Sequence, residues 1–170
     1  MAFTIEDGTG LEDSNSYATV EEFENYHDER GNDYSTIDID VIEQLLIKAT
    51  DYIERKWGPA FLGYPEFDDQ ALSFPRLGIY DKRGNEVTGV PTKLKQATAE
   101  YALKASVSPL FLEPTPNEYG LTVSRYKVIV GPLEEDTSYQ SSTSTTTKAM
   151  PNADYLLTDL ILPWGRTIRA

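Results

Sequence analysis

The chain has 170 residues, which suits one compact domain with an extension and is too short for two ordinary domains. Its 39 % hydrophobic and 11 % aromatic content excludes a chain disordered throughout, and the absence of Cys excludes disulfides, thiolate metal sites and cysteine nucleophiles. His27 is the one histidine, so a multi-histidine metal centre is excluded too, and the formal charge is −13.

That charge is unevenly placed. Residues 1–54 hold 15 acids against only Arg30 and Lys48, whereas residues 55–170 balance. Nucleic-acid binding rests on Lys and Arg meeting phosphates, and an N-terminal third of this sign repels them. It reads as a solvated acidic face, as a surface that repels anions, or as one that meets a basic partner. The first residues, Met-Ala-Phe-Thr-Ile-Glu-Asp, lack the basic and apolar runs of a signal peptide. The longest apolar run, Leu160–Trp164, is far below a membrane span. A soluble protein made in a cytoplasm is expected.

In chain order, Phe3–Glu6 reads as a short strand and Asp7-Gly8-Thr9-Gly10 as a tight turn. Thr19 with Glu22 forms a capping box, and Val20, Phe23 and Tyr26 follow at helical spacing. Gly31 ends this first helix, whose exposed side carries Glu21, Glu24 and Asp28. Asp40 with Glu43 repeats the capping arrangement for a second helix. Ile42, Leu45, Leu46, Ala49, Ile53 and Trp57 form its buried stripe, and Gly58-Pro59 stops it. Residues 58–78 read as irregular. Ile79-Tyr80 and Glu86-Val87 flank a five-residue loop, predicting a β-hairpin. Pro91 opens a third helix with the stripe Leu94, Ala97, Tyr101 and Ala105, closed at Ser108-Pro109. Residues 113–119 are turn-like.

Leu121–Val130 has the β-branched content of a strand, broken by Gly131-Pro132. Its alternation slips near Arg125, which predicts a bulge or an edge position. From Thr137 to Lys148 nine of twelve residues are Ser or Thr, which predicts a flexible linker or extended arm. Beyond it Asn152 caps a short helix carrying Tyr155, Leu156, Leu160 and Ile161. The expected class is mainly α, with three to four helices, a β-hairpin, a short additional strand and an extended C-terminal arm. The expected divisions are 1–136 as the main domain, 137–148 as linker and 149–170 as docking arm.

Little here points to catalysis. The Asp7–Gly10 turn with Glu12 and Asp13 lacks the spacing and the closing acid of a calcium hand. Asp-Gly-Thr-Gly is not the Asp-Thr-Gly of aspartic proteases, and no second copy exists to share a proton. His27, late in an acidic helix, reads as a helix-end or surface histidine. No phosphate-binding Gly-rich loop and no Gly-x-Ser-x-Gly elbow occurs. No enzyme, cofactor or metal site is expected. Tyr and Phe stack bases only beside a basic groove. Lys82, Arg83, Lys93, Lys95, Arg125 and Lys127 are the cations available, but several aromatics sit at core spacing, so packing is the better account of them.

The order of the segments is informative. "IEDGTGLEDSNSYATVEEFENYHDERG" is followed by "KATDYIERKW", "DQALSFPRLGIYDKRGNEV", "VPTKLKQATAEYAL" and a late "YKVIVGPLEE". This order resembles the head–tail connector adaptors of tailed bacteriophages, a group also labelled DnaT-like single-stranded DNA-binding. The likeness covers about residues 4–133 and, more weakly, "ADYLLTDLIL". Asp7–Tyr17 and Gln70–Arg76 are its most specific parts. The resemblance implies a virion protein of the neck with no catalytic residues. Twelve copies would form a ring below the portal protein, extend the DNA channel and carry a tail or stopper protein, with genomic double-stranded DNA passing through unbound.

Three readings of the residues accompany it. An acidic lumen lets DNA slide. A basic patch of Lys82, Arg83, Lys93 and Lys95 would meet the acidic part of the next subunit, as head-to-tail rings require. Trp164, Arg166 and Arg169 would anchor the arm on the portal; the alternative is that residues 152–164 pack on their own subunit. Rival readings are a single-stranded DNA-binding module, an enzyme of unknown type, and a β-rich neck or tail part such as a stopper.

Overall fold

The computed structural model describes residues 2–111, 121–129, 134–141 and 150–162, with the backbone alone for 121–141. Among the described residues four helices and an antiparallel hairpin make the protein mainly α, as the apolar periodicities predict. Contacts divide the chain into two units, residues 1–110 with 149–170, and residues 111–148.

The first unit is helical. Helix α1 (Val20–Asp28) starts at the expected capping box: Thr19 Oγ1 accepts from the Glu22 amide, and the Glu22 carboxylate accepts from the Thr19 amide. Helix α2 (Ile39–Trp57) buries the predicted stripe from Ile42 to Ile53 together with Tyr52 and Thr50, whereas Trp57, the stripe's predicted end, is only half-buried. Its N-cap is Asp38, not Asp40, and no side chain caps it. Asp40 instead lies in the first turn, where its charge favours the helix dipole. Helix α3 (Thr92–Val107) begins one residue later than predicted, with Pro91 as its N-cap. It buries Leu94, Ala97 and Tyr101 and ends at Ser108. Helices α1 and α3 run in the same direction, since Lys95 meets Glu22 and Tyr26 meets Glu100.

Helix α4 (Pro151–Leu157) runs antiparallel to α3, with Asp154 beside Tyr101 and Asp159 beside Lys93. Over its described part the C-terminal segment thus packs on its own subunit, the alternative given above to a docking arm. Met150, Ala153, Leu157, Leu160 and Ile161 are all buried in the body. The main chain is stitched to it as well: the Leu62 amide donates to Leu160 O and the Leu162 amide to Ala60 O. Apolar burial explains the outcome, because a leucine removed from water is worth roughly 2 kcal/mol and this segment supplies three large aliphatic side chains. Asn152 does not cap α4; Met150 holds the N-cap position, and its amide donates to Asp154 Oδ2.

Between α2 and α3 the chain is irregular, as predicted, but well tied. Strands β1 (Tyr64–Pro65) and β2 (Arg76–Leu77) pair antiparallel. Gly63, with φ +71°, has no room for a Cβ, which would lie 2.1 Å from the Leu77 carbonyl oxygen. The buried Arg76 guanidinium donates to the carbonyls of Leu62 (2.7 Å) and Gly63 (2.8 Å). The hairpin at 79–87 is minimal, with a Tyr80–Glu86 bridge and a Val87 amide donating to Ile79 O. Asp81 closes its loop by accepting from the Arg83 and Asn85 amides, both at 2.8 Å.

The opening strand expected at Phe3–Glu6 reduces to a bridge between Ile5 and Ser16. Glu6 accounts for it. Its carboxylate is fully buried and accepts from the amides of Gly8, Gly10 and Leu11 and from the Ser14 hydroxyl, at 2.9 to 3.0 Å. The chain wraps around this one side chain instead of extending.

The second unit holds β3 (Leu121–Ile129) and β4 (Glu134–Ser141), antiparallel, with Ile129 opposite Glu134 and Leu121 opposite Ser141. The register slips between Val123 and Arg125, where the broken alternation predicts a bulge. Strand β4 corrects the linker expected from Thr137. Residues 137–141 are strand because extended backbone suits Thr and Tyr and β3 supplies the ladder. The rest of that stretch, 142–148, lies outside the described residues.

Candidate functional site

The two segments that carry the family likeness are built against each other. The Ala71 amide donates to Leu11 O at 3.0 Å. The Phe74 amide donates to the Tyr17 hydroxyl, and Tyr17 in turn donates to Glu54 on α2. Ser73 donates to the same carboxylate at 2.6 Å. Burial, then the neighbouring Glu54, pushes the Tyr17 hydroxyl well above its ordinary value. Gly10, with φ +73°, lies under the Phe67 ring so closely that a Cβ would come within 2.3 Å of it. These residues fix architecture. Asp7 behaves likewise, accepting from the Thr9 amide and hydroxyl. Among the described residues no group of His, Asp and Glu is placed to hold a metal ion. No described helix is long and apolar enough to cross a membrane.

His27 is not at the surface. It is fully buried, its Nε2 lies 3.1 Å from Ala99 O, and its Nδ1 lies 3.0 Å from Asn32 Nδ2. A carbonyl only accepts, so Nε2 carries the proton and Nδ1 accepts from the Asn32 amide. Burial lowers its pKa below 6.5, against smaller opposing effects of Ala99 O and Glu100. Protonation is therefore easier in the unfolded chain. The stability from neutral His27 is complete above pH 6.5 and declines as the pH falls below that value. Thermal melts at pH 7.5 and 5.5 check this: the wild type is expected to lose more between them than His27→Gln. Equal losses would remove His27 as the cause.

The predicted basic patch divides in two. Lys82 and Lys93 converge on the two oxygens of Asp159, at 2.9 and 2.5 Å. Lys93, then Lys82, holds the Asp159 carboxyl down to about 2. Lys95 turns away and meets Glu22 at 2.7 Å. Lys93 and Lys95 are two residues apart, about 200° around the helix, so they serve opposite faces of α3. Arg83, exposed at the tip of the 79–87 hairpin, makes no side-chain ion pair among the described residues. Trp164, Arg166 and Arg169 lie outside the described residues.

On the Lys95 side a cleft of about 180 Å³ opens between α1 and α3. Glu22, Asn25, Tyr26, Glu29, Lys95 and Gln96 are among its lining residues. Arg30 stacks 3.6 Å over the Tyr26 ring and donates to Tyr26 O. Burial, followed by the hydrogen bond to Glu100, raises the Tyr26 hydroxyl to about 12. Sequence reasoning missed this cleft because it depends on α1 lying along α3, which no local pattern announces.

The family model described as "Putative DnaT-like ssDNA binding protein" matches residues 1–169. The chain belongs to that family. No curated protein and no solved structure matches it. The match spans the helical body as well as the β3–β4 unit.

Proposed function

We propose that this protein is a structural, non-catalytic subunit of a bacteriophage neck, a head-to-tail adaptor. In this reading twelve copies form a ring below the portal, extend the DNA channel and present a platform for the tail or stopper protein. The observation that carries it is the fate of the cations. Lys82, Lys93 and Lys95 are each paired with a carboxylate of the same chain, while the N-terminal third stays heavily acidic. Such a surface repels phosphates and suits a conduit better than a grip.

The second reading, single-stranded DNA binding, takes its support from the description of the family. Electron microscopy of the protein mixed with its cognate portal tests the first: a ring capping the portal is expected, and a monomer that never joins it overturns the adaptor. A gel shift with oligothymidylate at moderate salt tests the second, with no retardation expected.

A further inference from the structure

We propose that the cleft between α1 and α3 receives Arg83 from a second copy of the chain. The proposal rests on the adaptor reading, which requires a contact between two different faces of identical subunits. Three observations lead to it.

The first is the state of the cations. Of the four expected at an intersubunit contact, three are consumed within the chain and Arg83 alone is without an ion pair among the described residues. Its loop is held in shape from within, because Asp81 accepts from the Arg83 and Asn85 amides and from the Asn85 side chain at 3.0 Å. A guanidinium on a fixed tip loses less freedom on docking than one on a floppy loop.

The second is the chemistry of the cleft. A guanidinium offers five N–H donors and no acceptor. The cleft offers the carboxylate of Glu29 and the amide oxygens of Asn25 and Gln96, Glu22 being already taken by Lys95 and the Thr19 amide. Glu29 is free to turn: its side chain is 76 % exposed and its contact with Arg30 is long, at 3.5 Å. Its surroundings on α1 add Glu21 and Asp28, both exposed. The two cations at the cleft are engaged, Lys95 with Glu22 and Arg30 with the ring and carbonyl of Tyr26.

The third is placement. The hairpin tip is tied through Lys82 and Asp159 to the Lys93 side of α3, and the cleft lies on the Lys95 side. The cleft residues Thr92, Lys95 and Gln96 centre about 100° around α3 from Lys93, so knob and cleft occupy different faces of one chain. Arg83 is kept from its own cleft and offered to a neighbour's, which is the geometry of a heterologous contact that propagates into a ring.

The chain has no Cys, so engineered thiols report without background. Glu86→Cys places one on the hairpin near Arg83 and keeps the Lys82–Asp159 tie; Thr92→Cys places the other at the cleft. Both positions are exposed or at the rim. The two single variants are mixed in full-length form, alone and with the portal, and treated with a short bis-maleimide. A cross-linked dimer of the two variants is expected, reduced at least tenfold when Arg83→Glu is added to the first variant. Glu29→Arg in the second is expected to restore it.

A ring on the portal without the cross-link overturns the contact and leaves the adaptor reading standing. A cross-link with no portal binding does the reverse. A cross-link indifferent to Arg83→Glu, or absent in both mixtures, also overturns the contact. Retention of the helical circular dichroism by every variant excludes misfolding as the cause.

Discussion

Replacing Glu6 by Ala is expected to cost about 3 to 5 kcal/mol of stability, since each buried donor left unpaired costs about 1–3 kcal/mol. The amides of Gly8, Gly10 and Leu11 lose their acceptor at once, and the Ser14 hydroxyl is left with Leu11 O. Water reaching part of the loop sets the lower end of that range. The loop is itself a foundation, because Leu11 O receives the Ala71 amide and the Phe67 ring rests on Gly10. Urea denaturation checks this, with a lower midpoint and an unchanged slope expected. A loss below about 1 kcal/mol would show that the loop holds without its carboxylate.

Removing residues 150–170 is expected to abolish cooperative folding of the body. The deletion takes away the buried Met150, Ala153, Leu157, Leu160 and Ile161. It also strips Asp154 from Tyr101 and from Lys56, whose ammonium lies 2.7 Å from that carboxylate and 4.6 Å from the Trp57 ring. The single substitution Leu157→Ala alone is expected to cost about 3 kcal/mol, a fall in midpoint of roughly 6 to 12 °C for a chain of this size. Thermal melts by circular dichroism check both. A deletion variant that melts like the wild type would mean that α4 is a passenger. The result bears on portal docking as well: a truncated chain that fails to bind has failed to fold, so Trp164→Ala with Arg166→Ala is the sharper test of the arm.

Much of the helical body was legible because its signals are local. The Thr19–Glu22 capping box and the Ile42–Ile53 stripe are each complete within one element, and both formed as predicted. The slipped alternation at Arg125 is local too. What escaped depends on distant partners. His27 is buried because Ala99, 72 residues on, offers it a carbonyl. Strand β4 is hidden by its Ser and Thr, whose polarity suggests a linker until β3 lies beside it. Asp40, with Glu43 three residues on, has the pattern of a cap, yet the backbone puts the N-cap at Asp38. For the candidate site, the four cations were nameable from composition, but their distribution over two faces of α3 was not. Asp159 and Glu22, which take three of them, lie 66 or more residues from their partners.

The body is closed by a segment that the ribosome makes late. Leu110 is buried at the end of the first stretch and Met150 at the start of the second, with the whole β3–β4 unit between them. At ordinary synthesis rates, roughly 3 to 10 seconds separate the emergence of Leu110 from that of Leu162. Throughout that interval α3 and Phe61 show the nascent chain's surroundings the apolar surface that Leu157, Leu160 and Ile161 later cover. The molecule is thus most open to aggregation, and to capture by chaperones, just before α4 arrives. Stalling translation between these points should yield a chain that binds chaperones, and completing it should release them.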